Sequence, residues 1–128
     1  MHELGKPVTA AVFPTPTIAR TLVRQAWDEW PLDRFFPMLY HSFYLEDIAW
    51  IGDGVREGVG ALADGHLADG PRPGTPLNAG LYLPVLEPAQ LAEAVVAARE
   101  AGAAGVSTFE MHGLTDEHLT ELRGVLDY

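Results

Sequence analysis

The chain has 128 residues, enough for one domain with a hydrophobic core but too few for two ordinary domains. Its formal net charge of -10 predicts a surface that repels nucleic acid and anionic membranes, which argues against both as partners. The absence of cysteine excludes disulfides, thiol nucleophiles and zinc ribbons.

The N-terminal residues and the hydropathy predict where the protein resides. Residues 1–7 lack the basic and apolar regions of a signal peptide. No apolar run approaches the ~18 residues that a membrane-spanning helix needs. We therefore expect a cytoplasmic protein, or a secreted one if an N-terminal part is missing.

The first strand and helix are predicted within residues 7–30. Residues 7–13 are a short apolar and partly β-branched run typical of a strand. Thr15 is placed as an N-cap, with Pro16 at the first helical position. A buried helix face ending before Pro31 is then predicted by apolar residues at helical spacing, namely Ile18, Leu22, Val23, Ala26, Trp27 and Trp30.

The second unit is predicted at residues 35–62. Residues 35–40 begin with a continuous apolar run, which is typical of a strand buried on both faces. A helix is expected to start near Leu45, with Glu46 and Asp47 in its first turn, where the helix dipole favours carboxylates. Residues 63–76 are rich in Gly, Pro and Asp and predict a plain connector.

Two further strand–helix units are predicted in the C-terminal half. Their strands are residues 77–83 and 105–109. The third helix opens at Glu87-Pro88 and ends before Gly102, and Thr115 caps the last helix.

Strict alternation of strands and helices predicts an α/β fold with a parallel sheet and right-handed crossovers. We interpret residues 1–128 as a single domain of four βα units. Such a domain is half of a (β/α)₈ barrel, also called a TIM barrel. A small open sheet with helices on both faces, as in flavodoxin-like proteins, is the alternative.

Three segments carry a resemblance to a known class of barrel. Residues 37–40 (PMLY), followed by an aromatic and acidic loop to Asp47, resemble a late strand of TIM-barrel proteins of the glycosyl hydrolase-like families. Chitinase-like barrels have a similar Met-x-Tyr strand end. Residues 79–84 (AGLYLP) are similar to the next strand of such proteins, and residues 98–109 (AREAGAAGVSTF) to the passage into the last strand.

The resemblance covers nearly the whole chain but only the C-terminal half of the family's fold. It implies a carbohydrate-active protein related to these hydrolases. The N-terminal strands that carry the family's acidic pair have no counterpart here, so the chain alone is expected to be catalytically incomplete. A non-catalytic carbohydrate-binding or scaffold module is the alternative function, and a flavodoxin-like regulatory domain is a third.

An open half-barrel would leave apolar side chains in contact with water, which costs roughly 1.5–3 kcal/mol for each large side chain. Either a homodimer that closes an eight-stranded barrel or a missing N-terminal half-barrel would cover them. The partners expected from the sequence are therefore a carbohydrate ligand and one of these two.

The candidate site residues follow strands, because ligands of parallel α/β folds bind beyond the carboxyl ends of the strands. Glu110 and His41 are the candidates for acid–base chemistry. Aromatic rings can cover the apolar faces of sugars, and the predicted substrate-binding residues are Tyr40, Tyr44, Tyr82 and His112.

No cofactor or metal is expected. His41, Glu110 and His112 do not have the tight spacing of metal-binding motifs, and no Gly-x-Gly-x-x-Gly follows the first strand. Ser42 is not in a Gly-x-Ser-x-Gly nucleophile motif. The remaining histidines, His2, His66 and His118, are expected at the surface.

Overall fold

A computed structural model describes residues 4–63 and 70–126 of the chain. Strands and α-helices alternate along these residues in the order β1 (Thr9–Val12), α1 (Pro16–Val23), β2 (Arg34–Pro37), α2 (Ala49–Ala63), β3 (Asn78–Tyr82), α3 (Pro88–Glu100), β4 (Gly105–Phe109) and α4 (Asp116–Leu126). The predicted α/β class is confirmed. His2, His66 and part of the predicted 63–76 connector lie outside the described residues.

The strands lie side by side in chain order. β1 pairs with β2 and β3 pairs with β4, and both pairs are parallel. Isolated parallel bridges from Phe35 to Leu77 and from Met38 to Gly80 connect β2 with β3. Right-handed crossovers between strands in this order place successive helices on the same face of the sheet.

One face of the strands forms the hydrophobic core with the helices. Val12, Phe35, Leu39, Leu77 and Leu81 are almost fully buried and belong to one cluster with the inner residues of α2 and α3. The glycines of α2 allow this close packing. A Cβ atom on Gly58 would lie 2.6 Å from Cδ1 of Leu77, and one on Gly54 would lie 2.6 Å from Cδ2 of Leu39.

The opposite face of the strands has no helix against it among the described residues. Because side chains alternate along a strand, this face carries every second strand residue. Its members are half-buried or exposed, apart from Gly80, which is enclosed by neighbouring backbone. We call this the uncovered face, and it comprises Thr9, Ala11, Arg34, Phe36, Met38, Tyr40, Asn78, Gly80, Tyr82, Gly105, Ser107 and Phe109.

The first helix is shorter than its apolar periodicity predicts. It ends at Val23, and Arg24 adopts a left-handed conformation with φ of 57°. Trp27 lies instead in a separate short 3₁₀ turn, where it is fully buried and donates a hydrogen bond to the carbonyl of Phe13 at 3.0 Å. Leu22 and Val23 are exposed, so the prediction that they are buried is wrong.

The second helix begins at Ala49 and not near Leu45. A 3₁₀ turn over His41–Tyr44 comes first and ends at Leu45, whose φ of 56° is left-handed. Asp47 then accepts a hydrogen bond from the backbone N–H of Trp50 at 3.2 Å. His41 and Tyr44, two of the candidate site residues, therefore lie in a tight turn between β2 and α2.

His118 is buried, so the prediction that it lies at the surface is wrong. Its Nε2 lies 2.7 Å from the carbonyl oxygen of Leu86. Its Nδ1 lies 2.7 Å from the hydroxyl of Thr115 and 3.2 Å from the backbone nitrogen of Thr115, while that hydroxyl accepts the N–H of His118. Thr115 and His118 thus cap α4 reciprocally, as Ser/Thr and Glu/Gln do in a capping box.

None of the helices in the described part of the chain is both long enough and apolar enough to cross a membrane.

Candidate functional site

Four aromatic rings meet at the carboxyl ends of β2, β3 and β4. We call Tyr40, Phe43, Tyr82 and Phe109 the aromatic cluster. The ring centres of Tyr40 and Tyr82 are 5.4 Å apart, and those of Phe43 and Tyr82 are 4.8 Å apart. Phe109 is stacked on Tyr82 at 6.2 Å with an angle of 13° between the rings, and it lies 6.2 Å from Tyr40. These separations are typical of interacting aromatic side chains.

The strand register brings these rings together. Tyr82 is paired directly with Phe109 across β3 and β4. Tyr40 follows Met38 by two residues, and Met38 is bridged to Gly80, so Tyr40 is level with Tyr82 on the uncovered face. Phe43 reaches the cluster from the 3₁₀ turn. Phe43 is 62% exposed and Phe109 is 52% exposed, which leaves a large apolar surface in contact with solvent.

A hollow of about 230 Å³ lies beside the cluster, lined by Phe13, Pro14, Met38, Tyr40, Phe43 and Tyr44. Tyr44 packs against Trp50, with ring centres 5.3 Å apart, and so forms the wall of the hollow without joining the cluster. Burial raises the pKa of Tyr40 and that of Tyr44. Both phenols are therefore neutral at physiological pH and can donate hydrogen bonds from an otherwise apolar surface.

Glu110 and His112 form a pair directly after the last ring of the cluster. Oε1 of Glu110 lies 3.0 Å from Nε2 of His112, and both side chains are substantially exposed. The residues belong to the turn that follows β4, which includes Met111–Gly113, and the Phe109–Glu110 peptide bond is cis. The pair can accept and donate hydrogen bonds to a ligand that lies on the rings.

His41 is next to Tyr40 in sequence but faces a different part of the surface. It is buried, and its Nδ1 has no hydrogen-bond partner among the described residues. It lines an open depression with residues of the α2 and α3 N-termini, namely Glu46, Asp47, Ile48, Ala49, Gln90 and Glu93. Burial lowers the pKa of His41, although the charge of Asp47 acts in the opposite direction. His41 is thus a neutral imidazole at pH 7.

The structure brings together part of the set of residues predicted from sequence. Tyr40 and Tyr82 are in contact, and Glu110 and His112 are paired. Within residues 4–63 and 70–126, no three His, Asp or Glu side chains are grouped so as to hold a metal ion.

Phe43 and Phe109 belong to the cluster but were not singled out from the sequence. A signal for Phe109 was present, since it is the last residue of its strand, as Tyr82 is of β3. Phe43 carries no such signal, because its position depends on the 3₁₀ turn over His41–Tyr44, which the sequence pattern does not reveal.

Comparison of the chain with protein-family models, with curated proteins and with solved structures gave no match.

Proposed function

We propose that this protein is carbohydrate-active and that the described chain binds a carbohydrate on the aromatic cluster without hydrolysing it on its own. The observation that carries the proposal is the meeting of Tyr40, Phe43, Tyr82 and Phe109 at the carboxyl ends of three adjacent parallel strands. Exposed, rigid rings suit the apolar C–H faces of a sugar, and their exposure in an otherwise acidic molecule calls for a ligand.

Polar groups at the margin of the cluster supply what a sugar also needs. A sugar ring presents hydroxyl groups around its edge, which both donate and accept hydrogen bonds. The Glu110 carboxylate can accept from such hydroxyls, while the His112 ring and the neutral phenol of Tyr40 can donate to them. This combination of apolar platform and few polar groups is typical of small-molecule sites.

We infer further that the four strands correspond to one half of a (β/α)₈ barrel. Strands in chain order with helices on a single face are the arrangement that a barrel requires, and the sequence resemblance supports the same half. In barrels of this kind the site lies at the carboxyl ends of the strands, which is where the cluster lies. A flavodoxin-like sheet has helices on both faces, and the uncovered face disfavours that alternative.

Binding without turnover is favoured over hydrolysis by the distribution of acidic groups. Glycoside hydrolysis ordinarily uses two carboxyl groups facing one bond at a separation of roughly 5–9.5 Å. Glu110 directly follows Phe109 of the cluster, and its carboxylate is already paired with His112. His41 lines the other depression and is therefore not proposed as a partner in acid–base chemistry at the cluster.

Hydrolysis by a completed barrel is the second candidate function, because the Glu110–His112 pair stands beside the rings where a general acid or base would be needed. Retention of binding but loss of glycan cleavage in Glu110→Gln would favour it. Binding without cleavage in both the unaltered protein and Glu110→Gln favours the binding module.

Calorimetric titration with cello-, xylo-, chito- and malto-oligosaccharides tests the proposal. Phe43→Ala removes the most exposed ring of the cluster and should weaken binding by about 2- to 12-fold, the range expected for one aromatic contact. Leu4→Ala is the matched control, since it truncates an apolar side chain that is 73% exposed and precedes β1. Absence of binding to every sugar, or equal affinity of the Phe43→Ala protein and the control, would contradict the proposal.

A further inference from the structure

The sheet has two free edges of the same kind. The outer edges of β1 and β4 have no strand pairing among the described residues. Neither strand carries the lysine, proline or bulge with which proteins usually protect an edge, since their sequences are TAAV and GVSTF. Because all pairings are parallel, the free edge of β4 is suited to continue the sheet with another β1.

The uncovered face is segregated in charge from the rest of the chain. The protein has 18 acidic residues, yet the described strand residues that make up this face include no aspartate or glutamate. Arg34 is its one charged member, and the guanidinium donates a hydrogen bond to the Asn78 side chain on the same face. Two copies with a net charge of -10 each would repel through most of their surfaces, but they would not repel through this one.

Among the α-helices, the large exposed apolar side chains are on the first and the last. Leu22 and Val23 are exposed on α1, and Leu119 and Leu126 are exposed on α4. The described residues of α2 and α3 contribute no large exposed apolar side chain. Within the layer of helices, the exposed apolar surface thus lies on α1 and α4, where a neighbouring unit would extend that layer.

We propose that a second copy of this chain covers the uncovered face, with β4 of each copy pairing in parallel with β1 of the other. A two-fold axis then closes a ring of eight strands in which no edge remains, and a ring of this size is narrow enough to be filled by side chains. The α1 helix of one copy packs against α4 of its partner.

The proposal also adds to the candidate site. In the closed ring the two aromatic clusters lie on the same rim and face each other, so that a ligand contacts rings from both copies. The proposal rests on the half-barrel inference. It does not depend on the identity of the ligand, and the experiment below uses none, so its outcome is independent of the carbohydrate titration.

Light scattering over a 100-fold range of protein concentration tests the proposal. The unaltered protein should approach twice the chain mass of 13.9 kDa as the concentration rises. Ala11→Asp places a carboxylate on the uncovered face at a position that is exposed in a single copy, so the variant should fold but stay monomeric. Leu22→Glu, on the exposed side of α1, should raise the dissociation constant at least tenfold.

Ala89→Asp is the matched control, because Ala89 is exposed in the first turn of α3, away from both edges. It should dimerise as the unaltered protein does. A monomer at every concentration would overturn the proposal and leave the face to a different partner. Open-ended oligomers would overturn ring closure, and a dimer unaffected by both Ala11→Asp and Leu22→Glu would place the interface elsewhere.

Discussion

At the scale of single residues, His41 is the side chain whose environment departs most from its sequence context. Its neighbours Tyr40 and Ser42 are half-buried, yet His41 is only 8% exposed, and its Nδ1 has no hydrogen-bond partner among the residues that the structure describes. Burial disfavours the charged imidazolium, which is why its pKa is lowered in the folded protein. His41 is therefore a source of pH-dependent stability.

The lowered pKa of His41 predicts a loss of stability on acidification. Below the ordinary pKa of 6.5 the unfolded chain binds a proton that the folded protein takes up only at lower pH. The contribution of His41 to the free energy of unfolding is thus fully present above pH 6.5. It falls as the pH decreases through 6.5 towards the folded-state pKa. His41→Leu removes this contribution, so the free energy of unfolding of the unaltered protein minus that of the variant should decrease between pH 8 and pH 5.

Taking the difference between the two proteins cancels the contributions of the other titrating groups. Urea denaturation at several pH values provides the measurement. A difference that does not change with pH would show that His41 is as accessible to protons in the folded protein as in the unfolded chain.

Among the secondary-structure elements, α2 packs closely on the sheet at one of its glycines and is open to solvent at another. Gly58 faces the sheet, where a Cβ atom would lie 2.6 Å from Cδ1 of Leu77 and 3.3 Å from Cη2 of Trp27. Gly60 lies in the same helix, but a Cβ atom there would meet no atom within 4 Å. The two positions therefore separate helix propensity from packing.

Gly60→Ala should increase the free energy of unfolding by up to ~1 kcal/mol, because alanine is the better helix former and nothing opposes it. Gly58→Ala gains the same propensity but overpacks the core, at a cost of typically ~1–3 kcal/mol. We expect Gly58→Ala to be the less stable of the two by about 1–3 kcal/mol in chemical denaturation. Equal stabilities would mean that α2 does not lie as close to Leu77 as the structure has it.

The limits of sequence-based prediction are visible at the same scale. The four strands are predictable because each is a short apolar run bounded by turn residues, which is a local property of the sequence. The end of α1 was not predicted, because Trp27 continues the helical spacing although it belongs to a separate turn. That turn is fixed by hydrogen bonds to Phe13, the residue directly after β1. Trp27 donates to the carbonyl oxygen of Phe13, and the side chain of Gln25 accepts the backbone N–H of Phe13.

His118 illustrates a second kind of limit. Its neighbours Glu117 and Leu119 are exposed, and nothing in the local pattern predicts burial. Its hydrogen-bond partner Leu86 is 32 residues away and lies in the turn after β3. The local pattern predicts the N-cap at Thr115. It does not predict that His118 is the residue that bonds back to Thr115, because the burial of His118 depends on the distant Leu86.

The sequence predicts where in the fold the candidate site lies, but it does not predict all of the side chains that meet there. The carboxyl ends of parallel strands identified Tyr40, Tyr82, Glu110 and His112, because strand order alone places these residues on one rim. Phe43 and His41 depend on a 3₁₀ turn with a left-handed residue at its end, which periodicity does not reveal. The turn directs Phe43 towards the rings and His41 away from them.

At the scale of the whole molecule, the uncovered face, the two free edges and the exposed residues of α1 and α4 have a common explanation. Among the described residues, the strands leave an apolar face uncovered and the outer edges of β1 and β4 without a paired strand, and both features cost free energy in water. The proposed ring with a second copy would cover this face and pair both edges. It would also place the two aromatic clusters opposite each other, where the proposed carbohydrate would bind.

The most direct test of this account is hydrogen–deuterium exchange of the backbone amides, measured at protein concentrations below and above the midpoint of dimer formation. We expect residues 9–12 and 105–109 to become protected together as the dimer forms, because both free edges would be paired in a closed ring. Residues 88–100 of α3 should be unaffected. Protection of only one edge, or exchange at both edges that is the same at every concentration, would contradict it.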